Sequence, residues 1–223
     1  MAKVFLLSMK RKVDILIFDL DGTLIDSRKD IANAVNHTRK LFNLGELDTF
    51  FIASHIGNGV KNLIQKSISE LESKDLEKAL KIFQEYYGEH CVEETTVYPG
   101  VSDVLKYYES KKMAVVSNKP SPFTERILKE KKLISYFQLI LGEESHPKKK
   151  PDPASLLHVI EKLGGKPETS CMIGDWITDI EAGKRAGMIT VGCLYGIGNQ
   201  KELKEFQPDY LVDSILQLKD ILE

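Results

Sequence analysis

Apolar positions along the chain change their period twice. From Val13 to Phe18, the run VDILIF is short, rich in β-branched residues and bounded by polar ones, the pattern of a strand buried on both faces. Beyond Ser27 the spacing turns helical. Ile31, Ala34, Val35, Thr38, Leu41 and Phe42 fall on one face, and Ser27 with Asp30 three residues on resembles a capping box that starts the helix. A shorter helix is expected over 49–54. Another follows Gly57-Asn58-Gly59, carrying Val60, Leu63, Ile64, Ser67 and Ile68, and a longer one carries Leu76, Ala79, Leu80, Phe83, Tyr86 and Tyr87. Tyr86 and Tyr87 read as ordinary helix-face residues. No strand pattern interrupts the stretch between Ser27 and Glu94, which is long enough for a small bundle.

From Tyr98-Pro99-Gly100 onward helix and strand patterns alternate. Helices over 101–110, 122–131, 152–163 and 179–186 are each followed by an apolar strand, over 113–117, 137–141, 170–174 and 189–194, and a last strand–helix unit spans 210–222. Strands that are apolar throughout, with helices between them, predict a parallel sheet covered on both faces. The expected fold class is therefore α/β: a doubly wound, Rossmann-like parallel sheet with a helical-bundle cap inserted after the first strand. Residues 1–26 and 96–223 form the core, and 27–95 the cap.

Composition narrows the partners. At 223 residues and 42% hydrophobic, the chain can build a large core with an insertion. A net charge of -2 without any extended basic block excludes an electrostatic nucleic-acid binder and points to a small molecule. Cys91, Cys171 and Cys193 form an odd count without CxxC or zinc spacing, as expected of reduced thiols in a cytoplasmic protein. The apolar run VFLLSM near the N-terminus is too short for a signal sequence or a membrane span, and Met9 is a plausible alternative start. A cytoplasmic monomer or homodimer, without membrane attachment, is expected.

The chemistry gathers where strands end. The first strand stops at Asp19, and side-chain alternation lets Asp19 and Asp21 point into one crevice while Leu20 faces the core. In a parallel sheet the carboxyl edge is where ligands bind. Two neighbouring carboxylates repel unless a cation or a shared proton relieves them, so the pair asks for a metal. Ser117-Asn118-Lys119 follows the next core strand, and Asp175 and Asp179 follow the strand SCMIG in the pattern GDWITD. Of Lys148, Lys149 and Lys150, the spacing to Pro151 and Pro153 singles out Lys150. Together these supply what phosphoryl transfer needs: a nucleophile, a proton donor, a metal site and fixed cations around the phosphate.

At these residues the sequence resembles the haloacid dehalogenase superfamily. DLDGT, SN, the lysine of KPDP, and GDWITD resemble its four motifs, in order. The resemblance implies that Asp19 attacks phosphorus and that Asp21 serves as acid and then base. It implies Mg²⁺ held by Asp19, the backbone carbonyl of Asp21, and Asp175, with Asp179 a further ligand or supporting partner. Ser117, Asn118 and Lys150 would hold the phosphoryl group. The presence of Asp21 favours a phosphoester over a haloacid. Within the superfamily, SHIGNGVKNLI, SNKPSPFTERIL and AGMITVGCLYG resemble the phosphoglycolate phosphatases. This implies a small phosphorylated metabolite, most closely 2-phosphoglycolate, with His55, Gly57, Asn58 and Lys119 as specificity candidates. Two departures are Gly142-Glu143-Glu144, where the family has GGD, and Trp176, where a small polar residue is usual and an indole would narrow the entrance. Pyrophosphatase and sugar phosphomutase are the rival activities, and a phosphoacceptor or scaffold module the rival without turnover.

Overall fold

A computed structural model describes residues 10–223. The VFLLSM run and Met9 lie outside the described residues. The chain enters the sheet through β1 (Ile15–Phe18) and then forms a two-residue strand β2 (Ile25–Asp26). Four helices follow: α1 (Arg28–Leu41), α2 (Thr49–Ala53), α3 (Val60–Ser67) and α4 (Leu76–His90). The chain returns through β3 (Thr96–Val97), antiparallel to β2. It continues as α5 (Val101–Tyr107), β4 (Lys112–Val116), α6 (Ser121–Glu130) and β5 (Leu139–Leu141). Then come α7 (Ala154–Leu163), β6 (Ser170–Gly174), α8 (Ile177–Arg185), β7 (Ile189–Cys193), α9 (Gln200–Glu205), β8 (Tyr210–Val212) and α10 (Leu218–Ile221).

Six strands form one parallel sheet in the order β5-β4-β1-β6-β7-β8. The chain runs outward from β1 in one direction and then returns to continue in the other, so β1 lies at the switch point, where a crevice opens at the carboxyl edge. Alternation along β1 feeds two cores. Leu16 and Phe18 pack toward Val104, Leu105 and Ile127, whereas Ile15 and Ile17 pack toward Leu156, Val159 and Ala182. The cap's apolar residues, among them Ile31, Ile52, Ile64 and Phe83, join the first of these clusters, so cap and core share one continuous buried surface. No helix among the described residues is long and apolar enough to cross a membrane.

The helical readings of the cap stand, with two local corrections. Ser27 makes no capping hydrogen bond to α1, and Asp30 instead accepts from the backbone of Glu94 and Thr95 and from the Thr95 hydroxyl. Both side chains are drawn into longer-range contacts that outcompete the local cap. Leu41 belongs to the last turn of α1 and is 57% exposed, because the apolar stripe ends where the helix frays into Phe42. The β2–β3 ribbon and α9 were not expected: two residues are too few to show alternation, and QKELKE has only Leu203 to bury.

Candidate active site

Asp19, Ser117 and Asp175 are the first residues past β1, β4 and β6, three adjacent strands of the sheet, and Lys150 sits in the loop after β5. All four are buried. The register of the sheet thus brings residues separated by more than a hundred positions to one edge.

One carboxylate oxygen from each of Asp19, Asp175 and Asp179 lies within 4.8 Å of the others. The Lys150 ammonium donates to Asp19 Oδ1 at 2.8 Å and to the Val116 carbonyl at 2.6 Å, and pairs with Asp179 Oδ1 at 2.6 Å. Burial works against its charge, but Asp179 and Asp19 overcome that and raise its proton affinity. Burial pushes Asp19 up to about 7, with Lys150 opposing the rise and Asp179 and Asp21 adding to it. Asp175 is raised well above the usual carboxylate range, first by burial and then by Asp19 and Asp179. It is nonetheless well seated: Oδ2 accepts from the amides of Ile197 and Gly198 at 2.8 and 2.9 Å, and Oδ1 from the Thr23 hydroxyl at 3.1 Å. Gly22, at φ +87°, lets the acidic turn pass this carboxylate, since a Cβ there would lie 2.0 Å from Asp175 Oδ2. Three buried carboxylates face one ammonium. The oxygen donors and the charge deficit both suit a hard divalent cation.

Asp21 is held apart from this trio. Its carboxylate accepts from Lys119 Nζ at 2.9 and 2.8 Å and from the Ser27 hydroxyl at 2.5 Å, which leaves its backbone carbonyl for any metal role. Lys119, expected as a specificity residue, is therefore fixed on Asp21, with its ammonium 4.9 Å from the centroid of the Tyr87 ring. Tyr87, expected as an ordinary face residue, turns its ring into the site.

The cavity above Asp19 and Asp21 lies between core and cap and offers about 40 Å³ to water, against roughly 10–15 Å³ for a single water. Its cap walls are apolar: Ile31, Ile56, Val60, Leu63 and Phe83. Gly57 and Gly59 also line it, but His55 and Asn58 do not. The His55 ring nitrogen is taken up locally by Phe51 O and Ser54, and the Asn58 side chain is exposed while its carbonyl accepts from Lys149. Loop direction, which spacing does not encode, turns these two side chains away. The Asn118 side chain is likewise spent on backbone: it donates to Gly57 O and Lys150 O and accepts from Lys150 N, clamping cap loop to core loop rather than offering itself to phosphate. Ser117 keeps its hydroxyl in the cavity, accepting only a long 3.3 Å bond from Lys119 N. Missing from the sequence reading are Ser27, Tyr87 and the amides of Ile197 and Gly198. Only the glycine-flanked GIG following a strand hinted at the last pair.

A parallel sheet switching at β1, with buried carboxylates and two lysines at its carboxyl edge and a helical cap above, is suited to phosphoryl transfer. A family model of haloacid dehalogenase-like hydrolases matches residues 16–193. A protein from Aquifex aeolicus (strain VF5), named phosphoglycolate phosphatase, is 42% identical over 184 residues, covering 82% of this chain and 85% of its own. One of the same name from Psychrobacter arcticus is 38% identical over 222 residues, covering 93% and 95%. A solved structure titled as a predicted phosphoglycolate phosphatase from Haemophilus somnus 129pt superposes with a TM-score of 0.91 at 29% identity, covering 96% of this chain and 99% of that one. The chain belongs to the haloacid dehalogenase-like hydrolases.

Proposed function

We propose that the protein hydrolyses a small phosphomonoester, 2-phosphoglycolate, through an aspartyl phosphate on Asp19. The observation that carries this reading is the division of labour between the two neighbouring aspartates: Asp19 sits among carboxylates and Lys150, whereas Asp21 is held separately by Ser27 and Lys119. Asp19 attacks phosphorus, and the bond to the ester oxygen breaks. Asp21 gives its proton to the leaving alkoxide. In the second step Asp21 takes a proton from water, the water oxygen attacks phosphorus, and Asp19 is released with inorganic phosphate. Lys150 and Ser117 hold the non-bridging oxygens. Asp19, Asp175, Asp179 and the Asp21 carbonyl would hold Mg²⁺, which when bound neutralises charge on the nucleophile and the phosphoryl group.

The choice of substrate is supported by the names of the relatives and by the cavity. The cavity runs from the carboxylates and lysines of the core to the cap, which leaves room for a small tail beyond the phosphate. Residues 27–95 act as a cap that opens to admit substrate and closes to exclude water. The test is trapping. Incubated with substrate and Mg²⁺, Asp21→Asn should carry one phosphoryl group on the Asp19 peptide by mass spectrometry, and Asp19→Asn should carry none and not turn over. Turnover by pure Asp19→Asn refutes the reading.

A further inference from the structure

Five buried side-chain polar groups among the described residues have no protein partner, and two of them belong to residues lining this one cavity: the indole N–H of Trp176 and the hydroxyl of Tyr87. They reach it from opposite sides. Trp176 follows Asp175 in the core, while Tyr87 projects from α4 of the cap. Neither residue is more than 7% exposed. A buried donor left unsatisfied is unfavourable, so each of the two is a candidate donor to an occupant of the cavity.

Both rings are held firmly. Tyr87 stacks on Phe83, with centroids 5.3 Å apart, and meets Phe123 edge-on at 5.2 Å. Trp176 lies under the backbone of Gly57, where a Cβ would fall 2.7 Å from the ring. The Lys119 ammonium lies 4.9 Å from the centroid of the Tyr87 ring and near enough to favour the ionised hydroxyl, but makes no well-formed hydrogen bond with it. The remaining cap walls are apolar, so they cannot satisfy an anionic tail. A carboxylate buried there needs donors, and apart from Ser117 and Lys150, given to the phosphate, these two stand with Lys119 and Thr178 among the lining residues that carry them.

We propose that Trp176 and Tyr87 are specificity residues, whose N–H and O–H receive the carboxylate of a phosphorylated hydroxy acid when the cap is closed. This rests on the phosphoglycolate reading above and adds how the tail is told from an apolar one. Isobutyl phosphate replaces the two carboxylate oxygens with methyl groups at nearly the same shape, so the ratio of kcat/KM for 2-phosphoglycolate to that for isobutyl phosphate isolates the contacts. Tyr87→Phe and Trp176→Phe each remove one donor and keep a ring. Each should lower the ratio about tenfold or more, as expected for a hydrogen bond to a charged group. Inhibition by the non-hydrolysable 3-phosphonopropionate should weaken in parallel, which reads binding without turnover. A wild-type enzyme that favours phosphoglycolate, with a ratio and inhibition unchanged in both variants, overturns this assignment alone. A wild-type enzyme without that preference overturns the substrate reading, and this assignment with it.

Discussion

Gly57→Ala separates cap docking from fold stability, because the new methyl group acts in two distinguishable ways. Gly57 has φ +95°, a conformation that costs a side chain about 1–3 kcal/mol whether or not the cap is docked. That part appears as a lower melting temperature, about 2–4 °C per kcal/mol for a chain of this size. The second part exists only when the loop is docked. The Cβ would stand 2.7–2.8 Å from three atoms of the Trp176 indole, against an ordinary contact of 3.4–4 Å. Relief by loop movement means a retreat of about 0.7 Å, which stretches the 2.9 Å bond from Asn118 Nδ2 to Gly57 O beyond useful range. Overpacking of this kind costs about 1–3 kcal/mol and the lost hydrogen bond about 1 more. With each 1.4 kcal/mol equal to a factor of ten, kcat/KM should fall at least tenfold wherever closure precedes chemistry.

The assay is steady-state hydrolysis of isobutyl phosphate alongside a thermal melt, for Gly57→Ala in the wild-type and Trp176→Ala backgrounds. Removing the indole removes the obstacle but not the backbone strain. In the Trp176→Ala background, Gly57→Ala should therefore keep its drop in melting temperature and lose most of its effect on rate. Wild-type kcat/KM in the single variant, or the same rate loss in both backgrounds, would refute the docking argument.

Two further expectations concern the carboxylates. Asp21→Asn should lower steady-state turnover by about 10²–10⁴ while still allowing a burst of p-nitrophenolate, whose release needs no proton; a burst lost together with turnover would contradict the acid–base assignment. Metal binding should release protons below about pH 7, because Asp19 is pushed up to about 7 by burial and the metal takes its ionised form. A raised carboxylate favours the metal-free fold fully below its unfolded value of 3.8, and that contribution is lost as pH rises through about 7. The rise in melting temperature on adding Mg²⁺ should accordingly be larger at pH 8 than at pH 6, and an equal rise at both would contradict it.

The sequence was most legible where strands end. Asp19, Asp175 and Lys150 could be placed on one edge because a parallel sheet aligns all its carboxyl ends, whatever the helices between them do. Of three consecutive lysines, only Lys150 is buried on the carboxylates, while Lys148 pairs with Asp152 and Lys149 with Glu143 at the surface; the proline spacing distinguished it, and composition could not. The cap was less legible because its contribution depends on loop direction. The segment SHIGNG meets the cavity through Ile56, Gly57 and Gly59, while His55 and Asn58 do not line it. Tyr87 and Phe83 share one helical stripe, and nothing in the periodicity tells a residue packed within the cap from one that crosses to the core. Ser27 illustrates the same limit, since a local capping pattern concealed a contact with Asp21.

The distribution of contacts between cap and core also says which edge of the cap can move. At the C-terminal end of α4, Arg126 of α6 donates to Gly88 O and Glu89 O, carbonyls the helix leaves unpaired, and Lys131, just past α6, donates to Val92 O, just past α4. Just beyond, within the cap, Asp30 binds the backbone of Glu94 and Thr95, and where the chain crosses to the core β2 pairs with β3. Breaking that side would expose several charged and backbone groups at once. The loop at 57–59 is held far more lightly, by Asn118 on Gly57 O and a 3.3 Å contact from Lys149 to Asn58 O. If residues 27–95 move as a cap, as proposed above, the more lightly held edge at 57–59 is the one expected to release first. The loop at 57–59 lies over Trp176, so on that reading its release would also uncover the indole. In this arrangement the contact that Gly57→Ala disturbs and the donor that selects the substrate belong to a single closing step.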